Sequence, residues 1–309
     1  MIFFLLPVLI LFIIGVYLFF TACRREKELP WLDEKTMMQT SYAKHYPLIK
    51  NANQWLLDHN AQDVWVESYD GLKLHGLFVP AENPVGSIIL MHGYHSTYLV
   101  DFGPILPFYH RIGLNLLLPT QRSHGESQGK YITFGVKESR DVHSWIQYLN
   151  ENHYQDKLLL TGMSMGASTV LFAANDPLPE NVKGIIGDCG FSSPREIIAH
   201  VYKKATRFPA WPVLWATELA ARLVAGFSLT EKDSRVTLAN TKLPILLVHG
   251  KADDFVPCYM SQQGYEACTS KKDIVLVDDA THGLSFLVGT QQCMTALRKF
   301  VSEILEIQL

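Results

Sequence analysis

From residue 86 onward, short unbroken apolar runs alternate with stretches of helical periodicity. The runs fall at 87–91, 114–118, 158–160, 184–187, 245–249 and 273–277. Strands that are apolar on both faces are covered on both faces, and helical connections between them make them parallel. The helical stretches include 134–152, where Val136, Val142, Trp145, Ile146 and Leu149 share one side, then 167–174 and a closing helix at 291–307. Upstream, residues 64–79 alternate about Asp70-Gly71, the pattern of a β-hairpin. Residues 37–58 read as a helix carrying Tyr42, Tyr46, Ile49, Trp55 and Leu56. The pattern predicts an α/β fold, a mostly parallel sheet flanked by helices on both faces. Its rhythm breaks once, at 191–241, where one crossover helix would suffice. An insertion at the C-terminal edge of such a sheet reads as a helical lid.

Residues 2–22 are the other departure, almost wholly apolar and uncharged. About 20 such residues suffice to span a bilayer. A cleaved signal peptide is the competing reading, but the basic segment that would precede its apolar core is missing. The expected organisation is a transmembrane anchor at 1–23, a linker and N-terminal helix at 24–60, and the main domain at 61–309. Arg24, Arg25, Lys27 and Lys35 follow the span, and the positive-inside bias then puts the main domain on the cytoplasmic side of a cell membrane. Five cysteines without framework spacing agree with a reducing compartment. A composition of 48% hydrophobic and 18% charged residues excludes a disordered chain. The net charge of −3, with no basic stripe, excludes nucleic acid as a partner. Oligomeric state is not legible.

The chemistry gathers around Gly162-Met-Ser164-Met-Gly166, between an apolar strand and an apolar helix. Joining the two through one residue strains that residue's backbone and requires small neighbours, which lifts the Ser164 hydroxyl clear of the sheet. Such a serine needs an imidazole to take its proton and a carboxylate to orient the imidazole. His282, directly after the last strand and before Gly283, is the candidate base. Asp253 and Asp254, in the loop after the 245–249 run, are candidate acids, and Asp188 is a geometric alternative. The backbone N–H of Met165 and that of Tyr94, in His92-Gly93-Tyr94-His95-Ser96, are the expected donors to a developing oxyanion. His92 reads as fixing that loop. His92, His95, His124, His249 and His282 all fall at strand ends, but none of the tight spacings of a metal site is present, so neither metal nor cofactor is expected. Trp211, Trp215, Leu219, Leu223 and Phe227 in the insertion either line an acyl pocket or pack the lid onto the body.

From about residue 65 to the C-terminus, the chain resembles a membrane-anchored group of bacterial α/β-hydrolases with serine-aminopeptidase-like or lysophospholipase-like domains. The resemblance rests on His92-Gly-Tyr94-His-Ser, Gln121-Arg122-Ser-His124-Gly125, Gly162-Met-Ser164-Met-Gly166, Asp188-Cys-Gly-Phe-Ser-Ser, His249-Gly-Lys-Ala-Asp253-Asp-Phe-Val-Pro257 and His282-Gly283. It implies an α/β-hydrolase fold, Ser164, Asp253 and His282 as a catalytic triad, and Tyr94 and Met165 as oxyanion donors. Arg122 and His124 match a structural turn. Thr120 stands where relatives usually have Asp, and Ser123 where they usually have Gly. The activity so implied is hydrolysis of a small carboxylic ester with an acyl or lipid-like group. A peptidase or amidase, an acyltransferase, and an idle membrane-tethered interaction protein are the alternatives.

Overall fold

The computed structural model describes residues 2–27, 30, 32–40, 43–154 and 157–308, with the side chains of 2–8 and 45 outside that description. Eight strands form one sheet in the order β1-β2-β4-β3-β5-β6-β7-β8. They are β1 (Gln62–Glu67), β2 (Lys73–Val79), β3 (Gly86–Met91), β4 (Leu114–Pro119), β5 (Leu158–Met163), β6 (Val182–Asp188), β7 (Ile245–Gly250) and β8 (Lys272–Val277). β2 pairs antiparallel with β1 and β4, and every later pairing is parallel. The hairpin turns at Gly71, whose φ of +82° is a left-handed value that glycine adopts without cost. The apolar runs explain the core strands, since every residue of β3, β4, β5 and β7 is buried.

Helices cover both faces. α1 (Ile2–Cys23), α2 (Glu34–Met37) and α3 (Tyr46–Asp58) precede the sheet, and α4 (Tyr98–Phe102) and α5 (Leu106–Arg111) follow β3. α6 (Glu138–Glu151) and α7 (Met165–Ala173) flank β5. α8 (Pro194–Ala205), α9 (Ala210–Ala220), a π-turn at Ala221–Ala225 and α10 (Ser234–Asn240) fill the stretch between β6 and β7. α11 (Tyr259–Ala267), α12 (Ser285–Val288) and α13 (Thr290–Leu305) complete the chain. One face of the sheet packs on α3, α5 and α13, and the other on α6, α7 and α11.

Two expectations are corrected. The helix expected over 37–58 is interrupted: α2 is capped by Asp33, whose carboxylate accepts from Thr36 N–H, and α3 restarts at Tyr46-Pro47, since proline fits only the first turn of a helix. Residues 41 and 42, in the same stretch, lie outside the described residues. The helix expected from 134 starts at Glu138. The Glu138 carboxylate turns back to accept from the N–H groups of Thr133 and Gly135, at 2.8 and 3.0 Å, and closes a loop in which Phe134 has φ +52°.

At the N-terminus the expected element is a transmembrane anchor. Among the described residues no helix is long and apolar enough to cross a membrane. The C-terminal half of α1 lies on the protein instead. Gly15 meets α9 so closely that a Cβ there would stand 2.5 Å from both the Ala216 Cβ and the Val213 carbonyl oxygen. Phe19 and Cys23 are fully buried among the insertion's apolar side chains.

Candidate active site

The sequence places one residue between β5 and α7, and the backbone bears the consequence. Ser164 has φ +54° and ψ −117°, outside the common wells, and is held there by its N–H to the Asp188 carbonyl, at 2.8 Å. Glycine is mandatory on either side. A Cβ on Gly166 would stand 1.8 Å from the Met91 carbonyl oxygen, and one on Gly162 would stand 2.1 Å from the Gly166 oxygen. Strand and helix can therefore cross in contact, and the hydroxyl projects above the end of the sheet.

Two later loops converge on it. His282 Nε2 lies 2.9 Å from Ser164 Oγ, and His282 Nδ1 lies 2.7 Å from Asp253 Oδ2. The loops after β7 and β8 meet because Gly250 has no side chain, a Cβ there falling 2.1 Å from the Ala280 carbonyl oxygen. The N–H groups of Lys251 and Ala252 donate to the carbonyls of Val277 and Ala280 across that junction. Asp253 Oδ1 accepts from Phe255 and Val256 N–H, at 3.0 and 2.9 Å. Burial alone would raise this carboxyl, but hydrogen bonds from His249 and His282 outweigh it and hold Asp253 well below the usual carboxylate range. It faces the imidazole as a carboxylate.

Of the three candidate acids, only Asp253 reaches His282. Asp254 is exposed and pairs with Lys204 Nζ at 2.5 Å. Asp188 is buried behind the serine; its Oδ1 accepts from Ser285 Oγ at 3.1 Å, and its Oδ2 meets no donor among the described residues. Burial pushes Asp188 up to about 6, against the pull of His249, Ser285 and His282.

The 92–96 loop follows β3 directly. Gln121 N–H donates to His92 Nε2 at 3.0 Å, so that imidazole fixes the loop as expected, and burial lowers its pKa to about 4 and keeps it neutral. Sequence reading missed Asp101. Its Oδ2 accepts from Gly93 N–H at 2.6 Å and its Oδ1 from Ser96 Oγ at 2.7 Å, which orients the turn carrying Tyr94. Among the described residues, the N–H groups of Tyr94 and Met165 donate to no protein acceptor. Met165 N–H is one of the free donors at the start of α7, where the helix dipole favours negative charge.

Ser164 faces a cavity of about 260 Å³, walled by residues such as Leu18, Tyr94, Phe134, Phe191, Ile197 and Val256. No Asp, Glu, Lys or Arg lines it among the described residues. The five insertion residues named from the sequence are not its walls. Trp211, Trp215 and Leu223 are exposed at 72%, 62% and 77%, and Phe227 is buried within the insertion. α8 and α1 supply the wall instead. Among the described residues the one group with the geometry of three metal ligands is Cys189, Asp253 and His282, with ligand atoms within 4.8 Å. Asp253 and His282 already bond each other, and burial raises the Cys189 thiol well above its ordinary range, which disfavours the thiolate a metal needs.

Known proteins share this fold. The Pyrococcus furiosus esterase Pf2001 superposes with a TM-score of 0.66 at 22% identity, covering 81% of this chain and 93% of the esterase. The Exiguobacterium antarcticum esterase EaEST gives 0.59 at 17% identity, covering 78% of this chain and 100% of the other. The Bacillus subtilis protein YqkD is 26% identical over 237 residues, 76% of this chain and 77% of YqkD. Together with the sheet order these likenesses define the fold, that of an α/β-hydrolase, and the family match below makes the chain an enzyme of the serine-hydrolase type. Residues 128–305, which carry Ser164, Asp253 and His282, match the model of the prolyl oligopeptidase family. The chain belongs to that family.

Proposed function

We propose that the protein hydrolyses carboxylic esters whose acyl group is apolar and uncharged, by way of an acyl-enzyme on Ser164. The observation that carries this reading is the unbroken contact Asp253–His282–Ser164 at the wall of a cavity without charged residues. Ser164 Oγ attacks the ester carbonyl as His282 Nε2 takes its proton, and Asp253 stabilises the resulting imidazolium. The N–H groups of Tyr94 and Met165 receive the oxyanion, their freedom from protein acceptors being what that role requires. His282 returns the proton to the leaving alkoxide, then activates the water that releases the acid. In this reading the α8–α10 insertion is a lid, since Ile197, Ile198 and Val201 of α8 wall the acyl site.

A second reading, a peptidase, is favoured by the family match. The cavity speaks against an aminopeptidase, because a substrate's α-ammonium group would find no carboxylate on its walls among the described residues. The test compares p-nitrophenyl esters from acetate to octanoate with the p-nitroanilides of the same acids and of alanine, using the full chain and Ser164→Ala. The esters are expected to be cleaved at least about 100-fold faster than the anilides, with activity lost about 10⁴-fold or more in Ser164→Ala. Faster cleavage of the alanine anilide than of any ester would contradict the ester reading.

A further inference from the structure

The N-terminal helix does not stop at the edge of the catalytic body. The side chains of Leu18, Thr21 and Ala22, in the last turns of α1, line the same cavity as Ser164. Thr21 is exposed at the rim, whereas Leu18 and Ala22 are partly buried. The chain that follows is fastened to the loop before α6. Ile132 N–H donates to the Cys23 carbonyl at 2.6 Å, Arg25 N–H donates to the Lys130 carbonyl at 2.9 Å, and Arg24 bridges to Tyr131. The Arg25 guanidinium reaches the Ser127 carbonyl at 2.7 Å and also the Gly125 carbonyl. Higher up, Thr217 Oγ1 donates to the Gly15 carbonyl at 3.0 Å, and Phe19 is fully buried.

One contact ties this helix to the reacting centre. Tyr94 Oη donates to the Ala22 carbonyl at 2.9 Å, one of the carbonyls that a helix end leaves open, and its ring stacks on Phe134. Tyr94 is the residue whose backbone N–H faces the oxyanion in the reading above. The helix end therefore holds a cavity wall and the side chain of an oxyanion donor at once.

We infer that the last turns of α1 are a specificity element of the active site, in which Leu18 sets the length of acyl chain that Ser164 accepts. The inference rests on the acyl-enzyme reading for its substrate class. Its geometric content, that Leu18 limits the space beside Ser164, stands apart from whether the natural bond is an ester. A hydrophobic wall discriminates chains by what fits, and one methylene is worth about tenfold or more where the wall is rigid. The hydrogen bonds around residues 22–25 and the burial of Phe19 and Cys23 supply that rigidity.

The test uses the full chain, with Leu18→Trp to fill the cavity and Leu18→Ala to enlarge it. Tyr17→Ala is the control on the same helix, because Tyr17 is exposed and does not line the cavity. Two readouts are taken: kcat/KM for p-nitrophenyl acetate and octanoate, and the rate at which ethyl and octyl fluorophosphonates modify Ser164. Leu18→Trp is expected to lower the octanoate-to-acetate ratio at least about tenfold. Leu18→Ala should raise the ratio, and Tyr17→Ala should leave it unchanged. Modification rates should follow the same order. A chain-length ratio unmoved by either Leu18 variant, or short and long probes slowed alike, would overturn the inference. Wild type that cleaves no ester would instead defeat the ester reading, and the fluorophosphonate rates would still decide the role of Leu18.

Discussion

Asp188 is the residue whose cost in this fold is most easily measured. Its folded pKa is about 6, against the ordinary value of 3.8, because the carboxyl is buried with one oxygen unpartnered. His249, Ser285 and His282 pull the value down and Asp253 pushes it up, but burial prevails. Between pH 4 and 6 the folded protein therefore keeps a proton that the unfolded chain has released. Stability contributed by this group falls as pH rises through that window, and the whole cost persists above it. Asp188→Asn removes the ionisation. Its advantage over wild type in a urea titration should be small at pH 4, grow across the window, and level off above pH 7 at about 3 kcal/mol. A difference independent of pH would show that the carboxyl does not titrate there. Asp253, with its pKa lowered, acts with the opposite sign, and its contribution is present throughout this range.

The candidate residues were legible to different degrees for physical reasons. Ser164 announced itself because a one-residue strand-to-helix join needs glycine on both sides, and glycine is visible in a sequence. His282 and Asp253 were legible as strand-end residues, although adjacent Asp253 and Asp254 could be told apart only by resemblance until the loop geometry separated them. Asp101 left no signal, because it acts from α4 on a loop five to eight residues earlier in the chain. Ser123, where relatives usually have Gly, does adopt a left-handed φ of +64° and donates from Oγ to the Tyr131 carbonyl.

At the scale of elements, Arg122 joins three that are distant in the chain. Its guanidinium bonds both oxygens of Asp141 on α6 at 2.6 Å and both oxygens of Asp70 in the hairpin turn at 2.9 Å. Burial raises Asp141 to about 7 despite Arg122, whereas at the exposed Asp70 the hydrogen bonds from Arg122 and Ser68 outweigh the desolvation and lower the carboxyl to about 2. Removing the cation leaves Asp141 buried and unpaired, so Arg122→Met should lose about 3–5 kcal/mol in chemical unfolding. A loss under about 1 kcal/mol would mean that the three elements are held by packing alone.

The runs at 87–91, 114–118, 245–249 and 273–277 match β3, β4, β7 and β8 to within a residue at each end, whereas β5 extends three residues beyond its run and β6 starts two residues before its own. The helices were read less well at their starts. Glu138 and Pro47 decide where α6 and α3 begin, and both act through local hydrogen bonding and sterics that periodicity does not register. Periodicity likewise does not identify the neighbour of the apolar N-terminal helix. A uniformly apolar helix looks alike whether its neighbour is lipid or protein, and here the described part of α1 has α9 as a neighbour.

For the whole molecule, the fold follows from the alternation of runs and helices, but the cavity does not. Its walls come from α1, the loops after β3 and before α6, α8, and the loop after β7, a span from Leu18 to Val256 that only the folded chain assembles. The cavity is thus assembled from segments far apart in the sequence, whereas Ser164, Asp253 and His282 stand in the turns and loops that follow β5, β7 and β8. The central claim is that Ser164 is activated by His282 and Asp253. Its most direct test is intact-mass measurement of the full chain after treatment with ethyl fluorophosphonate, beside Ser164→Ala and His282→Ala. One adduct per wild-type chain is expected, none on Ser164→Ala, and modification of His282→Ala slowed by about 10³-fold or more. An adduct that persists on Ser164→Ala, or a folded wild-type protein that takes none, would contradict the claim.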